Sequence, residues 1–178
     1  MEDVYRSYRK DIDDDQGWQT PVNLGTGVNG STVDSCPVIF IDDAGDSYLF
    51  YVQGQPQPPE IDFKVSVYDA QADTFSQSRT IDISTTHVDA HLDPWRGLIW
   101  GDQYPEGYGR GDIWRAERIA NENDLTKSWT TPVNMGPDIN TEFEETMPSS
   151  TEDGARLFFM SDRPGGHGGF DIYEASKE

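Results

Sequence analysis

The run Trp18-Gln-Thr-Pro-Val-Asn-Leu-Gly25 returns as Trp129-Thr-Thr-Pro-Val-Asn-Met-Gly136, 111 positions later. The same offset carries Asn29 onto Asn140 and Pro37 onto Pro148 without a gap. A hairpin repeats as well. In LFFMSDRPGGHGGFDIYEA, residues 157 to 175, an apolar arm leads into a turn with four glycines and a proline. The returning strand alternates, with Phe170 and Ile172 on one face and Asp171 and Tyr173 on the other. LIWGDQYPEGYGRGDIWRAE, residues 98 to 117, has the same plan. The returning arm also opens the chain, as DVYRSYR at 3 to 9 beside DIWRAER at 112 to 118 and DIYEASK at 171 to 177. A chain that repeats a strand–turn–strand unit is constrained to a repeat architecture.

The intervening segments supply the other strands. Pro37 to Ile41, a turn at Asp42 to Asp46, and Tyr48 to Val52 precede the Pro-rich loop GQPQPPE and the alternating strand Phe63 to Tyr68. Phe75 to Ile83 fills the slot held elsewhere by Trp18 and Trp129, so the middle unit lacks the Trp. His87 to Asp93 and the Pro94-Trp-Arg-Gly97 turn lead into one hairpin, and Met147-Pro-Ser-Ser with the Glu152-Asp-Gly154 turn into the other. Trp114 to Asn123 contains helix formers, but its likeness to DIYEA predicts a strand there and no helix in the chain. With the strands of one unit named a, b, c and d, the chain reads c-d, a-b-c-d, a-b-c-d, a-b-c.

The pattern W-x-x-P-V-N-x-G, the Asn that follows it, the D-G turn and the hairpin LFFMSDRPGGHGGFDIY resemble the TolB-like (WD40-like) β-propeller repeat. Trp129 to Ala175 fits nearly throughout. Trp18 to Gly25 and Leu98 to Glu117 fit well, whereas the opening of the second unit and Gln53 to Phe75 depart from it. The resemblance implies an all-β fold, a single β-propeller domain over 1–178 with blade parts 1–25, 26–84, 85–136 and 137–178. It marks architecture more than activity, because propellers host many functions. About three four-stranded blades are present, and closed propellers use four or more. The chain is therefore a piece of a longer protein, or an open arc with a dedicated partner, or half of a six-bladed ring made by a head-to-tail homodimer. The ends favour the ring: the chain starts with c-d lacking a-b and finishes with a-b-c lacking d, and unpaired edges invite association. The segment Trp18 to Gly25 of one copy would then supply the missing d strand of the other, leaving one c strand redundant.

Composition limits the partners. The 178 residues include 5 Trp, 8 Tyr and 8 Phe, enough aromatic mass for a core. Asp and Glu number 33 against 13 Lys and Arg, a formal net charge of -20, which argues against nucleic acid and anionic membranes. No run is long or apolar enough for membrane insertion. Cys36 is the single cysteine, so no intramolecular disulfide forms and the redox compartment is open. The residues after Met1 form no signal peptide. The expected location is cytoplasmic if Met1 is the native start, and periplasmic or secreted if a leader was removed.

In such a meander the d–a and b–c connections share one face, and the resemblance implies ligand binding there, near the axis. That face would carry His87, Asp89 and His91, Tyr104 and Tyr108, Arg110 and Glu144, Arg163 and His167, a mixed acidic and aromatic surface suited to a small molecule, a glycan, a protein segment or a cation. His87, Asp89 and His91 also alternate along one strand face, as a metal site would require, with a polar connection as the plainer reading. Asp11, Asp13 and Asp15 have calcium-loop spacing without the bidentate Glu, with a solvated acidic turn as the alternative. No cofactor is required, and calcium or another divalent cation is the one the residues could take. The expected function is a non-enzymatic binding module. The alternatives are a glycoside-active or other hydrolase using axial carboxylates, and a structural assembly unit. Acidic residues are too many for a catalytic pair to be chosen.

Overall fold

The computed structural model describes residues 2–42, 44–56, 59–83, 89–93, 97–102, 106–119, 124–151 and 153–177, with the backbone alone for 56, 59–60, 89–93 and 98–102. The fold is all-β, with 47% of residues in strands and no helix among the described residues. Among the described residues four antiparallel sheets follow one another along the chain. The first pairs β1 (Tyr5–Arg6) with β2 (Val22–Asn23). The second is a meander of β3 (Val33–Ile41), β4 (Ser47–Pro56) and β5 (Pro59–Asp69), with β6 (Thr74–Phe75) and β7 (Arg79–Thr80) both on the outer edge of β5. The third runs β8 (Asp89–Asp93), β9 (Gly97–Asp102), β10 (Asp112–Ala116) and β11 (Val133–Asn134). The last has β12 (Glu145–Ser150), β13 (Arg156–Ser161) and β14 (Asp171–Ser176). Residues 114 to 116 belong to β10, as the likeness to DIYEA predicts.

The cores lie between successive sheets, and strand alternation explains how one strand serves two of them. Leu49 and Tyr51 of β4 face the first sheet and pack with Val4 and Val28. Phe50 and Val52 of the same strand face the third sheet and pack with Trp114, Ala116 and Trp129. On β10, Ile113 points the other way and packs with Leu157 and Phe159 of β13. The sheets are thus stacked face to face in chain order. β8 lies against both β3 and β12, so the first strands of the three larger sheets are neighbours on one side of the stack.

A β-bulge repeats with the sequence. The β3–β4 register shifts between Ser35 and Val38, and the β12–β13 register between Thr146 and Ser149. Cys36 and Met147, 111 positions apart, sit there at φ 51° and φ 48°, left-handed values that non-glycine residues seldom adopt. Each is followed by a proline, which a regular inner strand position would not accept but a bulge does.

Candidate functional site

The repeated Asn residues form a clasp. Gly25 and Gly136 take φ 73° and 83°, turning the chain so that Asn29 and Asn140 donate their backbone N–H to those glycines' carbonyls at 2.8 Å. The Asn29 side chain then bonds the residue that leads into β1 like a neighbouring backbone. It accepts from Val4 N at 2.8 Å and donates to Val4 O at 3.0 Å. Asn140 does the same to Ile113, at 2.7 and 3.0 Å. Asn23 and Asn134 lock the arrangement, each accepting from the second Asn and from the glycine N–H, and donating to Asp3 and Asp112. Asn140 is 1% exposed, so its amide replaces the water that these backbone groups would otherwise lose.

A pair of buried carboxylates extends the repeat. Asp34 and Glu145 occupy equivalent positions, and their backbone N–H groups donate to Glu2 O and Gly111 O at 2.9 and 2.7 Å. The Asp34 carboxylate accepts from Gly30 N and from Gln53. The Glu145 carboxylate, wholly enclosed, accepts from Thr141 N and from the Thr141 and Ser161 hydroxyls, and pairs with Arg163 at 3.0 Å. Their equivalence escaped the sequence reading because one is Asp and the other Glu. Their common offset from Asn29 and Asn140 is the signal that could have found them.

The sequence-predicted residues are placed in different ways. Arg110, Glu144 and Asp162 are brought together at the seam of the third and fourth sheets. The Arg110 guanidinium pairs with Asp162, whose other oxygen accepts from Glu144 N at 3.1 Å. The Glu144 N–H foremost, then Arg110, holds the Asp162 carboxyl below its ordinary value. Gly109 makes the seam tight: a Cβ there would lie 2.2 Å from Thr141 O and 2.4 Å from Phe143 O. Tyr108 and His167 hold matching exposed places, their backbone N–H groups donating to Asp112 and Asp171. Arg163 is turned inward. It donates to Ile139 O and Glu145 and stacks over Phe159 and Tyr173, so its role is to hold the fourth sheet. Asp89 and His91 are two apart on β8, where the backbone alone is described, and His87 and Tyr104 lie outside the described residues.

Asp11, Asp13 and Asp15 do not converge. Asp11 accepts from Asp13 N at 3.0 Å, closing a local turn, and Asp15 is drawn to Arg9 at 2.5 Å. Among the described residues no three His, Cys, Asp or Glu side chains gather into a group that could hold a metal ion.

A cleft of about 480 Å³ opens between the first two sheets, lined by Arg6, Tyr8, Ile39, Tyr68 and Asp73. Arg6 grips Asp73 with two hydrogen bonds, 2.8 and 3.0 Å, and lies over the Tyr68 ring. Tyr68 donates to Asp73 at 2.6 Å. Hydrogen bonds from Arg6 and then Tyr68 hold the Asp73 carboxyl below its ordinary value. This charged fork joins residues 67 positions apart.

No protein-family model and no curated protein matches this chain.

Proposed function

We propose that this chain is a β-propeller-type binding module of about three blades, two copies of which close a six-bladed ring, and that it binds a glycan, a small molecule or a protein segment on the loop face of Tyr108, Arg110, Glu144 and His167. What supports the propeller reading is the stacking of four antiparallel sheets in chain order, with β3, β8 and β12 neighbouring along one side. The observation that carries the binding reading is the seam itself. Arg110 and Asp162 come from loops of different sheets, and their pairing joins those loops into one surface held by hydrogen bonds. Such a surface is preorganised, which spares a ligand the entropy of ordering it.

Binding is favoured over hydrolysis by how the carboxylates nearby are employed. Asp112 accepts from Tyr108 N and Gly109 N, Asp162 accepts from Glu144 N, and Glu145 is enclosed by its donors. These groups hold loops in place.

The test is titration with a panel of neutral oligosaccharides and of basic and neutral peptides, following the Tyr108 and His167 ring signals by NMR. Binding that perturbs these rings and weakens at least tenfold in Tyr108→Ala, but not in Tyr5→Ala, is the expected result. Binding that maps to the Arg6–Asp73 cleft, or hydrolysis of a panel member, would overturn it.

A further inference from the structure

Three strands of this chain carry the same signature. Asp3-Val4-Tyr5 and Asp112-Ile113-Trp114 are each held by an N-x-G-x-x-x-N clasp, and Asp171-Ile172-Tyr173 is the third. Its surroundings begin in the same way, with Asp171 accepting from His167 N and Gly168 N as Asp112 does from Tyr108 N and Gly109 N. There the likeness stops. Val4 is 6% exposed and Ile113 0%, but Ile172 is 77% exposed. A Cβ on Gly109 would strike the next sheet's backbone, while one on Gly168 meets nothing within 4 Å. The two filled copies show what would cover the third: a strand bearing that clasp, and the sheet that follows it.

We propose that the β14 edge docks on the Trp18–Asn29 segment of a second copy of this chain, taking the place of that copy's own β1. This rests on the ring reading above and decides which third strand is displaced. β1 is a suitable strand to exchange, since it has a two-residue ladder with β2 and shares the Asp-apolar-Tyr signature with β14. Exchanging like for like is the low-cost route to a dimer. In the exchanged arrangement Ile172 takes Val4's place against Leu49 and Tyr51, and Phe170 O takes the place of Glu2 O as acceptor for Asp34 N. Trp18 supports the same arrangement. Trp129 packs edge-on against Phe50 of the sheet before it and is 8% exposed, whereas Trp18 is 56% exposed. The partner's fourth sheet would cover it as the second sheet covers Trp129.

One position resists. Glu174 would replace Arg6, which grips Asp73, and the middle copy of the strand also has an arginine there, Arg115. Two chains of net charge -20 repel as well. The exchange should therefore strengthen with salt and with Glu174→Arg.

The Arg115–Val133 register places Glu174 of one copy opposite Val22 of the other. Both side chains are exposed, so each accepts cysteine without disturbing a core. Full-length Val22→Cys and Glu174→Cys chains, both with Cys36→Ser, are mixed in 0.5 M salt (a concentration of roughly this order screens beyond about 4 Å), oxidised, and compared with the unmixed chains, alongside light scattering of the native protein. The expected product is a disulfide-linked pair formed only in the mixture, with Glu174→Arg raising the dimer fraction of the otherwise native chain several-fold. A two-chain mass without that crosslink would overturn the exchange while leaving the ring intact. A one-chain mass under every condition, Glu174→Arg included, would overturn both.

Discussion

Ile113 and Ile172 hold the same place in successive sheets, yet the first is wholly enclosed and the second is 77% exposed. Removing the same atoms from the two should therefore have unequal effects. Ile113→Ala is expected to destabilise the chain by about 2–5 kcal/mol through lost burial and the cavity left behind. Ile172→Ala should stay within about 0.5 kcal/mol in dilute solution, where copies are apart. Urea unfolding of the two variants at low concentration makes the comparison. Equal losses would mean that the β14 edge is covered within a single chain.

The Asn clasp makes a second comparison possible. Asn140→Ala leaves the buried Ile113 N–H without its acceptor, a loss of about 1–3 kcal/mol. Asn29→Ala does the same at Val4 and should fall in the same range. Asn140→Asp keeps an acceptor for Ile113 N but sets a buried carboxylate oxygen against two acceptors, Ile113 O and Asn134 Oδ1, and should cost at least as much as Asn140→Ala. Unfolding midpoints order the variants.

Arg163 is the counter-charge of a carboxylate with no exposure, Glu145. Removing one member of a buried pair strands the other, so Arg163→Ala is expected to destabilise by about 3–5 kcal/mol. Had Arg163 been a free loop-face residue, the loss would be near zero. Thermal unfolding followed by near-ultraviolet circular dichroism decides between these outcomes.

Asp73 and Asp162 give a pH dependence whose sign is set by their partners. Arg6 and Tyr68 lower the first carboxyl and Glu144 N–H and Arg110 the second, each from an ordinary value of 3.8. The folded chain thus holds these protons less tightly than the unfolded chain. Their contribution to stability is whole above pH 3.8 and is lost as pH falls through the depressed folded values. Asp162→Asn should lower stability at neutral pH and flatten its decline in acid. A decline as steep as the wild type's would remove Asp162 from that account.

At the bulge, Met147 is half exposed at φ 48°. Met147→Gly relieves a left-handed backbone worth roughly 1–2 kcal/mol but adds freedom to the unfolded chain, so the net change should be within about 1 kcal/mol. Met147→Val, β-branched at the same angle, should cost more than Met147→Gly at the same site. The pair of variants, compared in one urea series, separates backbone strain from side-chain packing.

Much of this fold was legible because the clasp needs the same residue types each time it is built. Asn23 and Asn134, Gly25 and Gly136, Asn29 and Asn140 repeat in sequence because each performs one hydrogen-bonding task at one backbone angle. The bulge was half legible: Pro37 and Pro148 repeat, but Cys36 and Met147 share a conformation without sharing a side chain. The Arg6–Asp73 fork was not legible, since nothing in either segment specifies a partner 67 positions away. Arg163 was read as a ligand-facing residue because its position in the turn places it on the loop face, and only the packing of Phe159 and Tyr173 beneath it turns it inward.

The amino-acid order by itself determined the strands, their turns and their meander connectivity, because these rest on side-chain alternation, glycine and proline geometry, and hydrogen bonds between residues close in the chain. Which copy of a repeated residue is enclosed was decided by the tertiary structure alone. Trp18 and Trp129 sit in matching motifs, each bridged to an arginine across its hairpin, Arg9 and Arg118. One is 56% exposed and the other 8%, because burial depends on whether another sheet stands in front, and no local pattern of residues encodes that.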